Sequence, residues 1–230
     1  MIGINLVWVF FLILVVAGFA TLVIFSIFRL KGVEAENRSF LRLFPCELVS
    51  EKLPGGSAYR VVLYIYGALC FAPVFVVLPL LDEFGGLGAL ALITSFLFGI
   101  EGIMLVALFL FHIKYINTHT KISTIFIAGG FLVNALAAVY AILTYSKWNQ
   151  FDMGSGLTIA MAVISGLLTI CSLVLVLNPK LKNWAQLVQV EGGDNPVYRR
   201  PKIFPLAFSE WAIVIINFVG EVAFLISLIR

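Results

Sequence analysis

Six stretches of this chain, about 4–28, 61–81, 87–111, 123–145, 155–177 and 206–229, run for about twenty residues or more with almost no charge. A helix needs about 20 apolar residues to cross roughly 30 Å of hydrocarbon. Lipid offers no partner to backbone N–H and C=O groups, so such a stretch must satisfy them internally as a helix or within a closed barrel. Barrel strands alternate apolar and polar residues over short segments, and the run from Val7 to Val16, VWVFFLILVV, does not alternate. The expected fold is therefore all-α: a polytopic integral membrane helical bundle with about six transmembrane helices, forming a single domain over residues 1–230.

Composition agrees. Hydrophobic residues make up 62% of the chain and charged residues 12%, against about 45–50% and 25% in soluble domains. The formal net charge of +3 is too small to suggest nucleic acid as a partner, and no block of like charges forms a basic arm. Cys46, Cys70 and Cys171 are an odd number with no CxxC spacing, so they read as free thiols, with no metal and no cofactor implied. No Lys or Arg precedes the first run, and that run exceeds a 7–15-residue signal-peptide core. It is expected to be a retained first span.

The basic residues set an orientation. Loops 29–60, 112–122 and 178–205 carry thirteen of the fifteen Lys and Arg: Arg29, Lys31, Arg38, Arg42, Lys52 and Arg60; Lys114 and Lys121; Lys180, Lys182, Arg199, Arg200 and Lys202. The other side has Lys147 and Arg230, with Asp82 and Glu83 in the tight second loop. These counts predict cytoplasmic loops at 29–60, 112–122 and 178–205 and both termini outside. A bacterial plasma (inner) membrane fits, although eukaryotic membranes follow the same rule.

In the fifth loop Asn178 is placed to cap a short helix with Pro179 at its first position, followed by Leu181, Trp184, Leu187 and Val188 at helical spacing. This predicts an amphipathic segment in the membrane interface, ended by Gly192-Gly193-Asp194-Asn195-Pro196. Trp184, Trp211, Arg199, Arg200 and Lys202 are the expected interface anchors. The first-loop patch Phe40, Leu41, Leu43 and Phe44 is a candidate second interfacial segment. Glu210-Trp211 reads as an anchor with a carboxylate near a helix N-terminus. The sequon Asn37-Arg38-Ser39 falls on the predicted cytoplasmic side and is read as chance.

Polar residues inside the runs are costly, about 2.5–3.5 kcal/mol for an ionisable group on insertion scales. Glu101, Asn134 and Asn217 lie near the middles of the third, fourth and sixth runs, and Glu221 one turn beyond Asn217 on the same face. They define a candidate layer at mid-membrane depth, with the two carboxyls as proton carriers or cation ligands and the asparagines orienting ligand or water. A bland alternative has the same groups bridging helices, at about 0.6–2 kcal/mol per bond. Small pairs (Gly156 and Ala160, Ala162 and Gly166, Ala68 and Ala72), together with Gly129 and Gly130, mark packing faces. Pro73 and Pro79 interrupt the second run and favour a kink.

Other chemistries lack support. His112 and His119 fall at or beyond the end of the third run, away from any intramembrane haem geometry. No HExxH, phosphate-binding glycine loop, GxSxG or EF-hand is present. His112, His119 and Lys114 read as a solvated basic loop, with lipid phosphate as an alternative contact. The long loops occupy different places in the two halves, so no inverted repeat is found.

Pro45-Cys46-Glu47 ahead of Gly56, Ala58 and Arg60, followed by two spans with Glu101 in the second, resembles the small three-helix subunit of respiratory complex I over the first half of the chain. That family's acidic pair in its second helix has no counterpart around Phe71-Ala72-Pro73, and three further helices lie outside the likeness. The functional expectation therefore rests on the residues. The leading one is a carrier or proton-linked permease for a small solute or lipid, with no catalytic residue. The alternatives are a non-catalytic membrane subunit or scaffold, with a membrane-protein partner or second copy, and a lipid-modifying enzyme using Glu47, His112 and His119.

Overall fold

The computed structural model describes residues 2–34, 38–50, 52–148, 155–178, 188–191 and 197–228. Seven α-helices are formed among them: α1 (Ile2–Leu30), α2 (Gly56–Leu69), α3 (Ala72–Val77), α4 (Gly88–Leu110), α5 (Ile116–Trp148), α6 (Ser155–Val176) and α7 (Pro205–Ser227). Five apolar helical stretches are long and apolar enough to cross a bilayer: Leu6–Leu30, Gly56–Leu110, Asn117–Tyr145, Ile159–Val176 and Pro205–Ser227. This is consistent with a multi-pass integral membrane protein.

The long stretch Gly56–Leu110 is not one rod. It breaks at Cys70 and Phe71 between α2 and α3, and then passes through a 3-10 segment, Leu78–Leu87. Both prolines sit in the first turn of a new segment, Pro73 in α3 and Pro79 in the 3-10 helix. A missing N–H costs nothing there, because first-turn donors have no intrahelical acceptor. Gly85 then adopts φ +52°, ψ −135°, a conformation open to glycine, and α4 returns antiparallel to α2 and α3. The return is close because Gly102 and Gly67 oppose each other: a Cβ on Gly102 would lie 2.4 Å from the Gly67 carbonyl oxygen, and one on Gly99 would lie 2.3 Å from the Phe71 ring.

The first, third and fifth connections meet at one end of the bundle. Phe204 N–H donates to the Leu41 carbonyl at 2.7 Å, and Arg42 donates to the carbonyls of Arg200 (2.7 Å) and Pro201 (3.1 Å). Arg29, fully buried at the end of α1, organises the first connection by donating to the carbonyls of Leu48, Ser50 (2.6 Å), Leu53 (3.3 Å) and Pro54 (2.6 Å). In sequence it is one more basic residue at a span end; in the structure it is a clamp that donates to main-chain oxygens and lies over the Tyr59 ring, 5.3 Å from its centroid.

Two expectations are corrected here. The third connection is short, because α5 begins at Ile116 and takes in His119 and Lys121. In the fifth, Val188 belongs to a strand, not a helix: β1 (Val188–Glu191) pairs antiparallel with β2 (Val197–Arg199), Val188 opposite Arg199. Pro179, Leu181, Trp184, Leu187 and the 192–196 turn lie outside the described residues, as does Asn37 of the sequon.

Burial is inverted relative to a water-soluble protein. Leu6, Ile13, Ile24, Leu167, Ile170 and Val174 are among the many large apolar side chains on the outside, while Ser95, Glu101, His119, Asn134, Glu210 and Glu221 are inside. Exposed apolar surface on this scale is unfavourable in water and neutral in lipid. Two of the small residues predicted to pack on α6 meet no neighbour among the described residues: a Cβ on Gly156 or Gly166 would find nothing there within 4 Å, whereas Ala160 and Ala162 are half-buried.

Candidate functional site

The four polar residues singled out in the runs are brought to one level by α4, α5 and α7. Asn217 Nδ2 donates to Glu101 Oε2 at 3.0 Å, and Asn134 Nδ2 donates to Asn217 Oδ1 at 3.1 Å and to the Gly130 carbonyl at 2.7 Å. The donors run in one direction, from Asn134 through Asn217 to Glu101, so the chain ends on a carboxyl as acceptor. Glu221, one turn further along α7, is not in that chain. It lines the cavity beside Cys70 and Tyr66 at the end of α2 instead, and its Oε1 is buried with no hydrogen-bond partner among the described residues.

Space for these groups comes from missing side chains. A Cβ on Gly129 would lie 2.0 Å from Glu101 Oε1, one on Gly130 2.7 Å from Asn217 Oδ1, and one on Gly220 2.0 Å from Asn134 Oδ1. Gly129 and Gly130 are thus not merely a thin place in α5; they seat the carboxyl and amide of two other helices. Between Glu101, Glu221, Asn217, Cys70 and Tyr66 remains a cavity of about 10 Å³, whose apolar wall includes Phe126 and Val214. That is room for about one water molecule, and too little for an organic solute. A larger crevice of about 140 Å³ under Phe40 is lined by Phe19, Leu22 and Trp211; its polar member Ser26 bonds to the Leu22 carbonyl and Tyr59.

A second buried polar cluster lies at the end where the connections meet. His119 Nε2 is 2.9 Å from Glu210 Oε1, both side chains fully buried, and Ser123 Oγ donates to the same carboxyl oxygen at 2.5 Å. His119 Nδ1 lies 2.7 Å from the Phe111 carbonyl oxygen. A carbonyl only accepts, so Nδ1 carries a proton. Whether imidazolium faces carboxylate or neutral imidazole faces carboxylic acid, the Nε2–Oε1 contact then also holds one proton, and the pair is neutral either way. Glu210 Oε2 has no hydrogen-bond partner among the described residues. His119 is thus a core residue rather than part of a solvated loop. Glu210 lies beyond the first turn of α7, where no acidic residue is found, so the helix-dipole explanation for it falls.

The expected anchors are placed as follows. Trp211 donates its indole N–H inward to the Leu43 carbonyl at 2.9 Å and packs edge-on against Phe40 and Phe109. Arg200 makes a two-point ion pair with Glu47, at 2.6 and 2.8 Å, and these bonds raise the guanidinium above its ordinary value. Lys202 is exposed, and Arg199 contributes backbone to β2. The Trp184 side chain lies outside the described residues. Sequence reasoning missed the His119–Glu210 pair. The available signal was the spacing His119, Ser123, Phe126, Gly130, Asn134 on α5 beside Glu210, Val214, Asn217, Glu221 on α7.

No family model, curated protein or solved structure matches the chain. The likeness of the first half to a complex I subunit is carried by the residues named for it alone. Its Pro45, Cys46 and Glu47 form a 3-10 turn, Pro45–Val49, packed against the His119 end of the bundle.

Proposed function

We propose that the protein is a proton-linked membrane carrier, or permease for a small solute or lipid, in which Glu101 and Glu221 take up and release protons. Reading the doubled-back stretch Gly56–Leu110 as two crossings gives six spans, and the basic residues put the shared end of the first, third and fifth connections in the cytoplasm, with both termini outside. The observation that carries the functional reading is the central layer. Two carboxyls are buried without a basic partner among the described residues, beside a cavity of single-water size. A carboxyl buried in that way keeps its proton until something moves or charges nearby, which is what a carrier that couples to protons needs.

The test is accumulation from a small-molecule extract of the host by liposomes containing the purified protein, with and without an inward proton gradient, read by mass spectrometry. At least one compound is expected to accumulate only with the gradient, and Glu101→Gln and Glu221→Gln to lose that accumulation while staying folded. No gradient-dependent compound, or undiminished accumulation in both variants, refutes the reading.

The rival, a non-catalytic subunit or scaffold, draws on Gly156 and Gly166 of α6, against which no described residue packs. It predicts a stoichiometric protein partner on gentle extraction from the native membrane, with Glu101→Gln and Glu221→Gln altering only stability.

A further inference from the structure

The two buried polar clusters share two helices. On α5, His119, Ser123, Phe126, Gly130 and Asn134 recur at steps of four, three, four and four; on α7, Glu210, Val214, Asn217 and Glu221 recur at four, three and four. Steps of this kind keep residues on one helix face. The contacts confirm that the faces meet in register: His119 and Ser123 with Glu210, Gly130 with Asn217, and Asn134 with Asn217. The seven residues from Glu210 to Asn217 rise about 10 Å along α7. That interval holds Phe126 and Val214, the apolar wall of the single-water cavity.

We propose that the buried His119–Glu210 pair is the intake of a proton path that follows the α5–α7 seam to the Glu101–Asn217–Glu221 layer, closed at rest by Phe126 and Val214. This rests on the proton-linked reading above and adds where the proton comes from and by which groups. The His119–Glu210 contact already holds a proton whichever group is formally charged, and Glu210 Oε2, buried and unpartnered among the described residues, is an acceptor left over for a water. The step moves a proton only. It leaves Glu210 for a water in the seam, that water's proton passes to the cavity water and then to a carboxylate of the central layer, and His119–Glu210 is refilled from the connection end. Among the described residues, the charged or titratable groups that act on the intake are Cys46 on His119 and Glu47 on Glu210, the charge of Glu47 being matched by Arg200, with the Ser123 hydroxyl beside them.

The measurement is hydrogen–deuterium exchange of the central carboxyls, followed by infrared spectroscopy on the full chain in liposomes after a switch to heavy water. The bands are assigned by their loss in Glu101→Gln and Glu221→Gln. In Glu210→Gln and His119→Gln the exchange is expected to slow by about a hundredfold, the lower edge of what a positioned acid–base group contributes to proton transfer. Val214→Ala should speed it. A purely structural pair would give the opposite sign, since losing it loosens the seam and admits water; unchanged or faster exchange in Glu210→Gln and His119→Gln overturns the path. If those two variants do not fold, Val214→Ala decides, and an unchanged rate there overturns it. Absence of any protonated carboxyl band in the unaltered protein brings down the proton-linked reading together with the path, whereas a normal band with unaffected exchange removes the path alone.

Discussion

Glu47 and Arg200, 153 residues apart, form a two-point ion pair that ties the first connection to the fifth. Glu47 Oε2 also accepts from the Phe44 N–H at 2.9 Å, and the Arg200 guanidinium lies 5.9 Å from the Phe44 ring. The Arg200 side chain is 24% and the Glu47 side chain 18% exposed, so the pair is partly shielded and better than a surface salt bridge. Arg200→Gln is expected to lower stability by about 1–2 kcal/mol. Arg200→Lys should recover little of that loss, because an ammonium cannot make the planar two-point contact. Thermal unfolding in detergent measures both, and an Arg200→Lys variant as stable as the unaltered protein would sink the assignment.

Arg29 holds four main-chain carbonyls from within the protein. Arg29→Ala strands them, at about 1–3 kcal/mol for each buried group left unsatisfied. Its clearest signature should be rapid proteolytic cleavage within 45–55 while the helices persist by circular dichroism. Cleavage at the unaltered rate would show that water replaces the guanidinium without penalty.

Gly129 and Gly102 should respond differently to alanine. A methyl at Gly129 meets the tip of the Glu101 side chain, which can swing aside, whereas one at Gly102 meets the Gly67 carbonyl and Cys70 Cβ, which cannot. Gly102→Ala is expected to destabilise by about 1–3 kcal/mol or more through overpacking. Gly129→Ala should change stability little yet abolish gradient-driven accumulation by moving Glu101 off Asn217. Equal stability losses in the two variants would contradict this account.

Asn134 and Asn217 form a testable pair. A double-mutant cycle with Asn134→Ala and Asn217→Ala, read by unfolding in detergent, should give a coupling energy of about 0.6–1.7 kcal/mol, the range of interhelical bonds in membranes. A coupling indistinguishable from zero would mean that the amides do not meet.

The apolar runs, the interruption of the second run by proline and the level shared by Glu101, Asn134 and Asn217 were all legible, because each follows from hydropathy and position within a run. Glu221 lies one turn from Asn217 as its spacing required, yet its position beside Cys70 and Tyr66 was not foreseen, since rotation of one helix against another is not written in either helix alone. The same limit hid His119. It sits just before the apolar run at 123–145, and only its pairing with Glu210, 91 residues later, distinguishes it from a loop histidine. The first-loop clamp was invisible for a different reason: basic residues at span ends all carry the same topological signal, and nothing in the sequence separates Arg29, which turns inward to carbonyls, from Lys31, which is exposed.

Asn217 reaches Glu101 across 116 residues of chain, so during synthesis the carboxyl on α4 leaves the ribosome long before its donor does. Until α7 is laid against α4 and α5, Glu101 lacks the Asn217 donor and the space over Gly130 lacks the Asn217 amide that fills it. α7 is therefore the helix that completes the polar layer, because it alone supplies the amide that joins Asn134 to Glu101.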